Sequence, residues 1–312
     1  MSSDAQFQFL ALLQKHQLMH IPFENLTLHY SWHRVIDVAP DRLFDKIVRQ
    51  QGRGGYCMEN NSLFHTVLLS LGFRVYMVGA RVYDKESSRY AGLTHCLNIV
   101  TIHDVRYAVD VCFGAKVPVL PLTLSHNQVQ QHSRPGQMRA RYDSIPQALS
   151  EDQRLWIYEH RIDDQAPWIP QYCFPDFELL PEDIRVLNFT PARSPSSFFT
   201  YKLVCVRFTS EDECYSSKQP SNDHQVAGHD QGAEPKTAGA IDGALIVDGH
   251  TFKWRKGGQK QWERTLTNED ERAEVLREYF SIHLTDEERR AIKGTAADLS
   301  QQRSAASPGI GF

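Results

Sequence analysis

The sequence predicts an α+β fold, and three observations carry the prediction. Up to residue 72, apolar side chains recur at helical spacing. From Phe73 onward the texture changes to alternating runs rich in Val and Tyr. A helical pattern returns only near the C-terminal end, after an acidic and polar stretch at 211–240.

Residues 5–19 place Phe7, Leu10, Leu13 and Leu18 on one stripe, which reads as an amphipathic helix ended by Pro22. The apolar loop Ile21-Pro22-Phe23-Glu24-Asn25-Leu26 follows and holds one acid. Residues 40–50 form a second helix, with Pro40 near its start and Leu43, Phe44, Ile47 and Val48 as its apolar face. A third runs from Asn61 to Leu71, with Leu63, Phe64, Val67, Leu68 and Leu71 inward and Gly72 as its stop.

The strand region begins with Phe73–Tyr83, then a polar loop at 84–92. Thr94–Ile102 and Arg106–Val111 flank His103-Asp104, which marks an antiparallel hairpin. Residues 114–122, with Gly114, Pro118 and Pro121, suggest an irregular connection. Leu155–Glu159 reads as a strand, 167–181 is crowded with proline and aromatics, and 189–208 mixes loop with strand. The middle is thus a β-rich barrel or sheet. The 211–240 segment carries six acids and two lysines with few large apolar residues, the composition of a solvated insertion. Ala244–Trp254 then looks like a hairpin around Asp248-Gly249. Glu269–Leu284 is a helix capped by Asn268, and the tail from Gly294 reads as loose.

Composition excludes several function classes. Charged residues make up 23% and the formal net charge is -4, so there is no general electrostatic case for nucleic-acid binding. No apolar run reaches ~18 residues, so no membrane span is expected. The start, Met1-Ser2-Ser3-Asp4, has neither a basic region nor an apolar signal core, which points to a cytoplasmic protein. Six cysteines are scattered without a Cys-x-x-Cys pair, which disfavours a zinc ribbon and a redox dithiol; no metal site is expected.

Arg53-Gly54-Gly55-Tyr56-Cys57-Met58-Glu59-Asn60 is where chemistry is expected. Two glycines permit a sharp turn and close backbone approach. Cys57 then falls at or near a helix N-terminus, where the dipole and free N–H groups favour a thiolate. A nucleophilic cysteine needs a base, and the base needs an orienting group. His95 opens a strand, and Asp110 lies near the end of the next one. With a turn at 103–104, positions 95–97 and 110–112 lie opposite each other, which makes His95 and Asp110 cross-strand neighbours. Spacing leaves blander readings open: a Thr-His pair at a strand start is more often a surface histidine, and Arg-Gly-Gly alone is any tight turn.

The ordered set of motifs resembles the arylamine N-acetyltransferase family over nearly the whole chain. The cysteine stretch resembles that family's Arg-Gly-Gly-x-Cys-x-Glu-x-Asn signature, and Thr94-His95 its histidine segment. Asp110-Val111-Cys112-Phe113-Gly114 resembles its Asp-x-Gly-Phe-Gly, with Cys112 in place of the usual glycine. Asn188 through Phe198 resembles the segment that closes the barrel, and Val275–Leu284 the C-terminal end.

The resemblance implies a helical bundle at 1–82 carrying the cysteine and a β-barrel at 83–200 carrying the histidine and aspartate. An α/β lid at 201–312 holds the insertion, and a papain-like triad sits at the first junction. It implies ping-pong transfer of an acetyl, propionyl or malonyl group from acyl-coenzyme A, through Cys57, to an arylamine, arylhydrazine or arylhydroxylamine. His95 serves as base and Asp110 as its orienter. Arg53 and Glu24 form a structural ion pair, Gly92 and Thr94 match the loop where coenzyme A approaches, and Met58 and Phe113 line the acceptor pocket. Met58 stands where an aromatic is common. The polar insertion suggests a fungal or other microbial eukaryotic relative. The competing reading is a papain-like cysteine hydrolase or amidase.

Overall fold

The computed structural model describes residues 2–150, 152–215 and 239–302. In chain order, α1 (Ser3–His20) leads to the short strand β1 (Phe23–Glu24), α2 (Thr27–Tyr30), α3 (Pro40–Leu43), a π turn (Phe44–Val48) and α4 (Cys57–Ser70). Eight strands follow: β2 (Arg74–Asp84), β3 (Arg89–Ile102), β4 (Val105–Val109), β5 (Leu122–Thr123), β6 (Val129–Gln131), β7 (Gln137–Asp143), β8 (Leu155–Arg161) and β9 (Ile169–Phe174). Then come α5 (Pro181–Arg193), α6 (Phe198–Tyr201), β10 (Val204–Ser210), β11 (Ile241–Asp248), β12 (Thr251–Lys256) and β13 (Gln259–Thr265). The described chain ends with α7 (Glu269–Phe280), α8 (Asp286–Ala291) and α9 (Leu299–Gln302).

Two sheets organise these elements. The first has eight strands in the order β5-β4-β3-β2-β9-β8-β7-β6. Its two ends nearly meet: the Asn127 N–H donates to the Ala140 carbonyl of β7 at 2.8 Å, just beyond β5. Val78, Ala80, Leu97, Ile99, Tyr158 and Tyr172 fill the interior of this near-closed barrel. The second sheet has five strands, β1-β10-β11-β12-β13, and draws its edge strand from the N-terminal region.

Helix α1 lies between the sheets. Ser2 caps it, with its hydroxyl accepting the Ala5 N–H at 3.3 Å, and Pro22 disfavours a further helical residue at Ile21. Leu10, Leu18 and Met19 share one core with Phe64 and Leu68 of α4, Val100 and Ile102 of β3, and Val206 and Phe208 of β10. The helices of the first third therefore pack chiefly on strands. The opposite face of the second sheet is covered by α7, through Val275, Leu276 and Phe280.

The structure departs from the sequence expectations in particular places. The π turn breaks the helix expected at 40–50, leaving Leu43 and Ile47 buried but Phe44 and Val48 about half exposed. Helix α4 begins at Cys57, four residues before Asn61, and ends at Ser70; its Val67 and the Leu71 that follows it face solvent. Strand β3 resumes at Arg89, so the polar loop at 84–92 is a tighter turn. Residues 181–193, read partly as loop and strand, are helix α5. Pro181 occupies its first turn, where the missing N–H costs nothing, and the Asp183 carboxylate accepts the Leu180 N–H at 2.8 Å. Strand β7 was not foreseen; its buried Met138 and Ala140 alternate with arginines. The hairpin turn placed at Asp248-Gly249 is Gly249-His250, one residue later. The segment from Gly294 is not loose at its start, since Thr295, Ala297, Asp298 and Leu299 are buried. Of the 211–240 insertion, 211–215 and 239–240 are described, and Glu211 N–H meets the Ala240 carbonyl at 3.1 Å; the rest lies outside the described residues.

Candidate active site

The turn before α4 works only with glycine. A Cβ on Gly54 would stand 1.9 Å from the Pro22 carbonyl oxygen, and one on Gly55 would stand 2.6 Å from the Glu59 side chain. That closeness lets residues 54–55 run beside 22–24, with Gly55 N–H on Pro22 O at 3.3 Å and Glu24 N–H on Gly55 O at 3.0 Å. Tyr56 then caps α4, with Cys57 as the first helical residue. Glu59 reaches back to accept the Tyr56 N–H at 3.1 Å. The Cys57 thiol therefore sits at the positive end of a 14-residue helix, 4% exposed. Its Sγ lies 3.9 Å from the Thr94 carbonyl oxygen.

The base and its partner come from the barrel. Asn98 pairs with Val109 across β3 and β4, so Leu97 would face Asp110, and His95 is its diagonal neighbour on the interior face. The His95 Nε2 to Asp110 Oδ2 distance is 2.8 Å, and both side chains are buried. Cys57 stands near enough for its sulfur to favour the charged form of the ring. Burial pulls the imidazole pKa down, but the Asp110 charge and hydrogen bond, with Cys57, hold it at about 10. At neutral pH the ring is an imidazolium beside the thiol. Phe113 and Tyr172 pack on that ring, with centroids 4.9 and 5.0 Å away.

Asp110 is itself fixed by Asn61, which sequence reasoning missed. Asn61 Nδ2 donates to Asp110 Oδ1 and to the Cys96 carbonyl, each at 2.9 Å. Its Oδ1 accepts the Val111 N–H at 3.0 Å, while the Cys112 N–H also donates to Asp110 at 2.9 Å. A signal existed: in the pattern Arg-Gly-Gly-x-Cys-x-Glu-x-Asn the last residue falls on Asn61, not Asn60.

Arg53 and Glu24 meet, with Nε 3.0 Å from Oε1, but within a larger web. Lys46, the second residue missed, stands 3.5 Å from Glu24 and 2.7 Å from Glu59. Arg53 also approaches Glu288 of α8 at 3.6 Å. Burial raises the Glu24 pKa, yet Arg53, Lys46 and the Leu26 N–H outweigh it and hold that carboxyl below its ordinary value. Glu59 goes the other way, raised by burial and by the neighbouring Glu24 charge more than Lys46 lowers it.

The other predicted residues fall around this centre. Phe113 borders a cavity lined also by Leu18, Ile21, Phe23, Cys112 and Phe208. Met58 is fully buried and packs in one cluster with Cys57, Met77, Cys96 and Ile184. Cys112 Sγ packs 3.4 Å from the Gly55 carbonyl, and burial pushes its thiol well up. Gly92 is exposed with open space above it, and the Thr94 hydroxyl donates to its carbonyl at 3.4 Å. Phe199 of α6 meets Tyr56 edge-on at 5.1 Å, covering the site from the segment after the barrel. Among the described residues, no group of three or more His, Cys, Asp or Glu side chains is placed to share a metal ion, and no helix is long and apolar enough to cross a membrane.

Comparison with known proteins points one way. A family model described as N-acetyltransferase matches residues 6–225. The N-malonyltransferase FDB2 of Fusarium pseudograminearum is 31% identical over 301 residues, covering 91% of this chain and 80% of that protein. Arylamine N-acetyltransferase 1 of Homo sapiens is 30% identical over 210 residues, covering 61% of this chain and 67% of the relative. Among solved structures, the arylamine N-acetyltransferase from Mycobacterium abscessus superposes with a TM-score of 0.73 at 24% identity, covering 94% of this chain and 89% of its own. The Mycobacterium marinum enzyme in complex with CoA gives a TM-score of 0.71 at 23% identity, with 96% and 94% covered.

Proposed function

The chain belongs to the arylamine N-acetyltransferase family and is an acyltransferase; from that premise we propose that it moves an acyl group from coenzyme A to an aromatic amine through Cys57. The observation that carries this reading is the 2.8 Å bond from His95 to Asp110, held beside a cysteine at a helix N-terminus.

In the first half-reaction the Cys57 sulfur attacks the thioester carbonyl carbon. The oxyanion is met by backbone N–H groups at the start of α4. The tetrahedral adduct collapses, the bond to the coenzyme A sulfur breaks, and the His95 imidazolium gives its proton to that leaving thiolate. The histidine is then neutral. In the second half-reaction an arylamine, arylhydrazine or arylhydroxylamine attacks the acyl-cysteine. His95 takes the amine proton, the Cys57 thiolate leaves, and the resting ion pair is restored. Asp110 stays ionised throughout and keeps Nε2 engaged. Glu24, Arg53, Lys46 and Glu59 hold the turn that aims the cysteine.

The donor is an acetyl, propionyl or malonyl thioester; the malonyl option is supported by the fungal relative of that name. We place the enzyme in the cytoplasm, in keeping with its six free cysteines, where conjugation of foreign arylamines fits this chemistry. The test is intact-protein mass spectrometry after incubation with acetyl-, propionyl- and malonyl-coenzyme A and no amine. One acyl adduct on Cys57 that an aniline discharges is the expected result. No adduct with any donor refutes the proposal, and an adduct that water discharges as fast as aniline makes the enzyme a hydrolase.

A further inference from the structure

Strand β3 turns His95 toward the barrel interior, with Leu97 and Ile99 on the same side. Its other side faces α4. There Cys96 packs with Cys57 and Met58, while Val100 and Ile102 pack with Phe64 and Leu68. Between these two apolar clusters stands Asn98, fully buried. An amide in that position is costly unless both of its ends are paired. Both are paired, and both pairs go to one turn of α4. Asn98 Nδ2 donates to the Asn61 carbonyl at 3.0 Å. Its Oδ1 lies 3.0 Å from Nδ1 of the partly exposed His65, about one helical turn beyond Asn61. Because Nδ2 is committed to a carbonyl, Oδ1 faces the ring, and His65 must hold a proton on Nδ1 and donate it.

A second rung lies one turn nearer the nucleophile. The Cys96 thiol meets the Cys57 carbonyl at 3.5 Å, and the Cys96 carbonyl accepts from Asn61 at 2.9 Å. The spacings agree. Carbonyls four residues apart on a helix are about 6 Å apart along its axis, and alternate side chains on a strand are about 6.6 Å apart. Positions 96 and 98 can therefore grip positions 57 and 61 together, and no slide of the helix along the strand keeps both rungs. The apolar contacts on either side impose no such register, because burial has no direction.

We infer that Asn98, oriented by His65, is a positioning residue for Cys57: it sets where α4 stands along β3, and so where the sulfur lies relative to the His95 ring. The inference rests on the reading of Cys57 as nucleophile given above. Asn98 is three residues from His95 on one strand, and Asn61 is one turn from Cys57 on one helix. The clamp thus joins the two elements close to both reacting groups.

The test uses the full chain and the variants Asn98→Leu, His65→Leu, His65→Gln and Asn98→Leu/His65→Leu. Leucine at 98 keeps the bulk, and the Asn61 carbonyl keeps its partner within the helix, so no buried group is stranded and urea unfolding should stay close to native. Acylation of Cys57 is followed as a function of acetyl-coenzyme A concentration. Asn98→Leu should lower the maximal acylation rate roughly ten- to a hundredfold and leave the KM unchanged. His65→Leu should lower that rate by a smaller factor. His65→Gln, which can still donate to Asn98, should recover most of it, and the double variant should be no worse than Asn98→Leu alone. Alkylation of Cys57 by iodoacetamide at pH 7, measured against exposed Cys214 in the same molecule, should fall in parallel. A raised KM at native maximal rate, native rates in both leucine variants, or losses that add in the double variant overturn the inference. If Asn98→Leu does not fold, His65→Leu and His65→Gln carry the same comparison; if neither leucine variant folds, the clamp serves stability alone and the inference is overturned. If no coenzyme A thioester acylates the native enzyme but the relative alkylation falls in the variants, the clamp stands and the donor reading falls. If neither acylation nor a fall in alkylation is seen, both fall.

Discussion

Asn61→Ala tests whether the residue behind Asp110 positions the catalytic pair. The native side chain makes three buried hydrogen bonds, at 2.9, 2.9 and 3.0 Å, to Asp110, the Cys96 carbonyl and the Val111 N–H. Truncation strands the Val111 N–H and removes one donor from a buried carboxylate. Each unpaired buried group costs about 1–3 kcal/mol, more when charged, so the expected loss of stability is about 3–5 kcal/mol. Urea unfolding measures it. Asp110 keeps His95 and the Cys112 N–H but loses the anchor that sets its angle, and small misplacements of catalytic groups cost roughly a hundredfold. The acylation rate of Cys57 by acetyl-coenzyme A should fall by about that factor, and its dependence on pH should shift, which a purely structural defect would not cause. Asn61→Asp keeps the shape but sets a second carboxylate against Asp110. It should be harmed more at neutral pH than at pH 5, where one of the two acids takes a proton. Asn61→Ala with native stability and a native pH–rate curve would refute the reasoning.

Other outcomes follow from the same structure. His95 is raised from its ordinary value to about 10, so its contribution to stability is complete below about pH 6.5 and lost as pH climbs through 10. The Tm of the native protein should fall across that interval, while Asp110→Asn should flatten the curve. Glu24→Gln takes the nearest carboxylate from Arg53, which keeps Glu288 at 3.6 Å, and leaves Lys46 with Glu59 alone, and it should cost about 1–3 kcal/mol in urea unfolding at pH 7. Because the Glu24 carboxyl is held below its ordinary value, the penalty should shrink as pH falls below that value. Iodoacetamide at pH 7 should label Cys57 ahead of exposed Cys214, since an imidazolium and a helix N-terminus face Cys57 alone; equal labelling would count against the ion pair. Gly52→Ala puts a side chain at φ 74°, 2.3 Å from the Ser281 carbonyl oxygen, and should lower the Tm by several degrees, about 1–3 kcal/mol of strain.

How much of this was legible beforehand depended on the range of the interaction. Helix α1 and the β3–β4 hairpin announce themselves because their periodicity and turn residues are local. The pairing of His95 with Asp110 was legible for the same reason: a two-residue turn at 103–104 sets the register. Helix α5 was obscured because Pro181 and Pro191 suggest breaks, although the first is harmless at a helix start and the second falls in the last turns. Strand β7 was hidden because its buried faces are only Met138 and Ala140, too little apolar contrast between arginines. Lys46 could not be found from spacing, since nothing local says that a lysine on a π turn will meet acids 22 residues before it and 13 after it; the partners, Glu24 and Glu59, identify it only once the chain is folded.

The short strand β1 carries a kinetic consequence. By pairing with β10 it ties residues 23–24 to 205–206, and it also shapes the turn that presents Cys57. The nucleophile's geometry is therefore closed by one of the most sequence-distant pairings in the chain. Contacts of that separation carry a large loop-closure cost and tend to form late. During refolding, the barrel and its His95–Asp110 pair should regain protection from hydrogen exchange before acylation returns. Recovery of Cys57 reactivity would then mark the docking of the second sheet, and an assay of enzyme activity would serve as a clock for the last step of assembly.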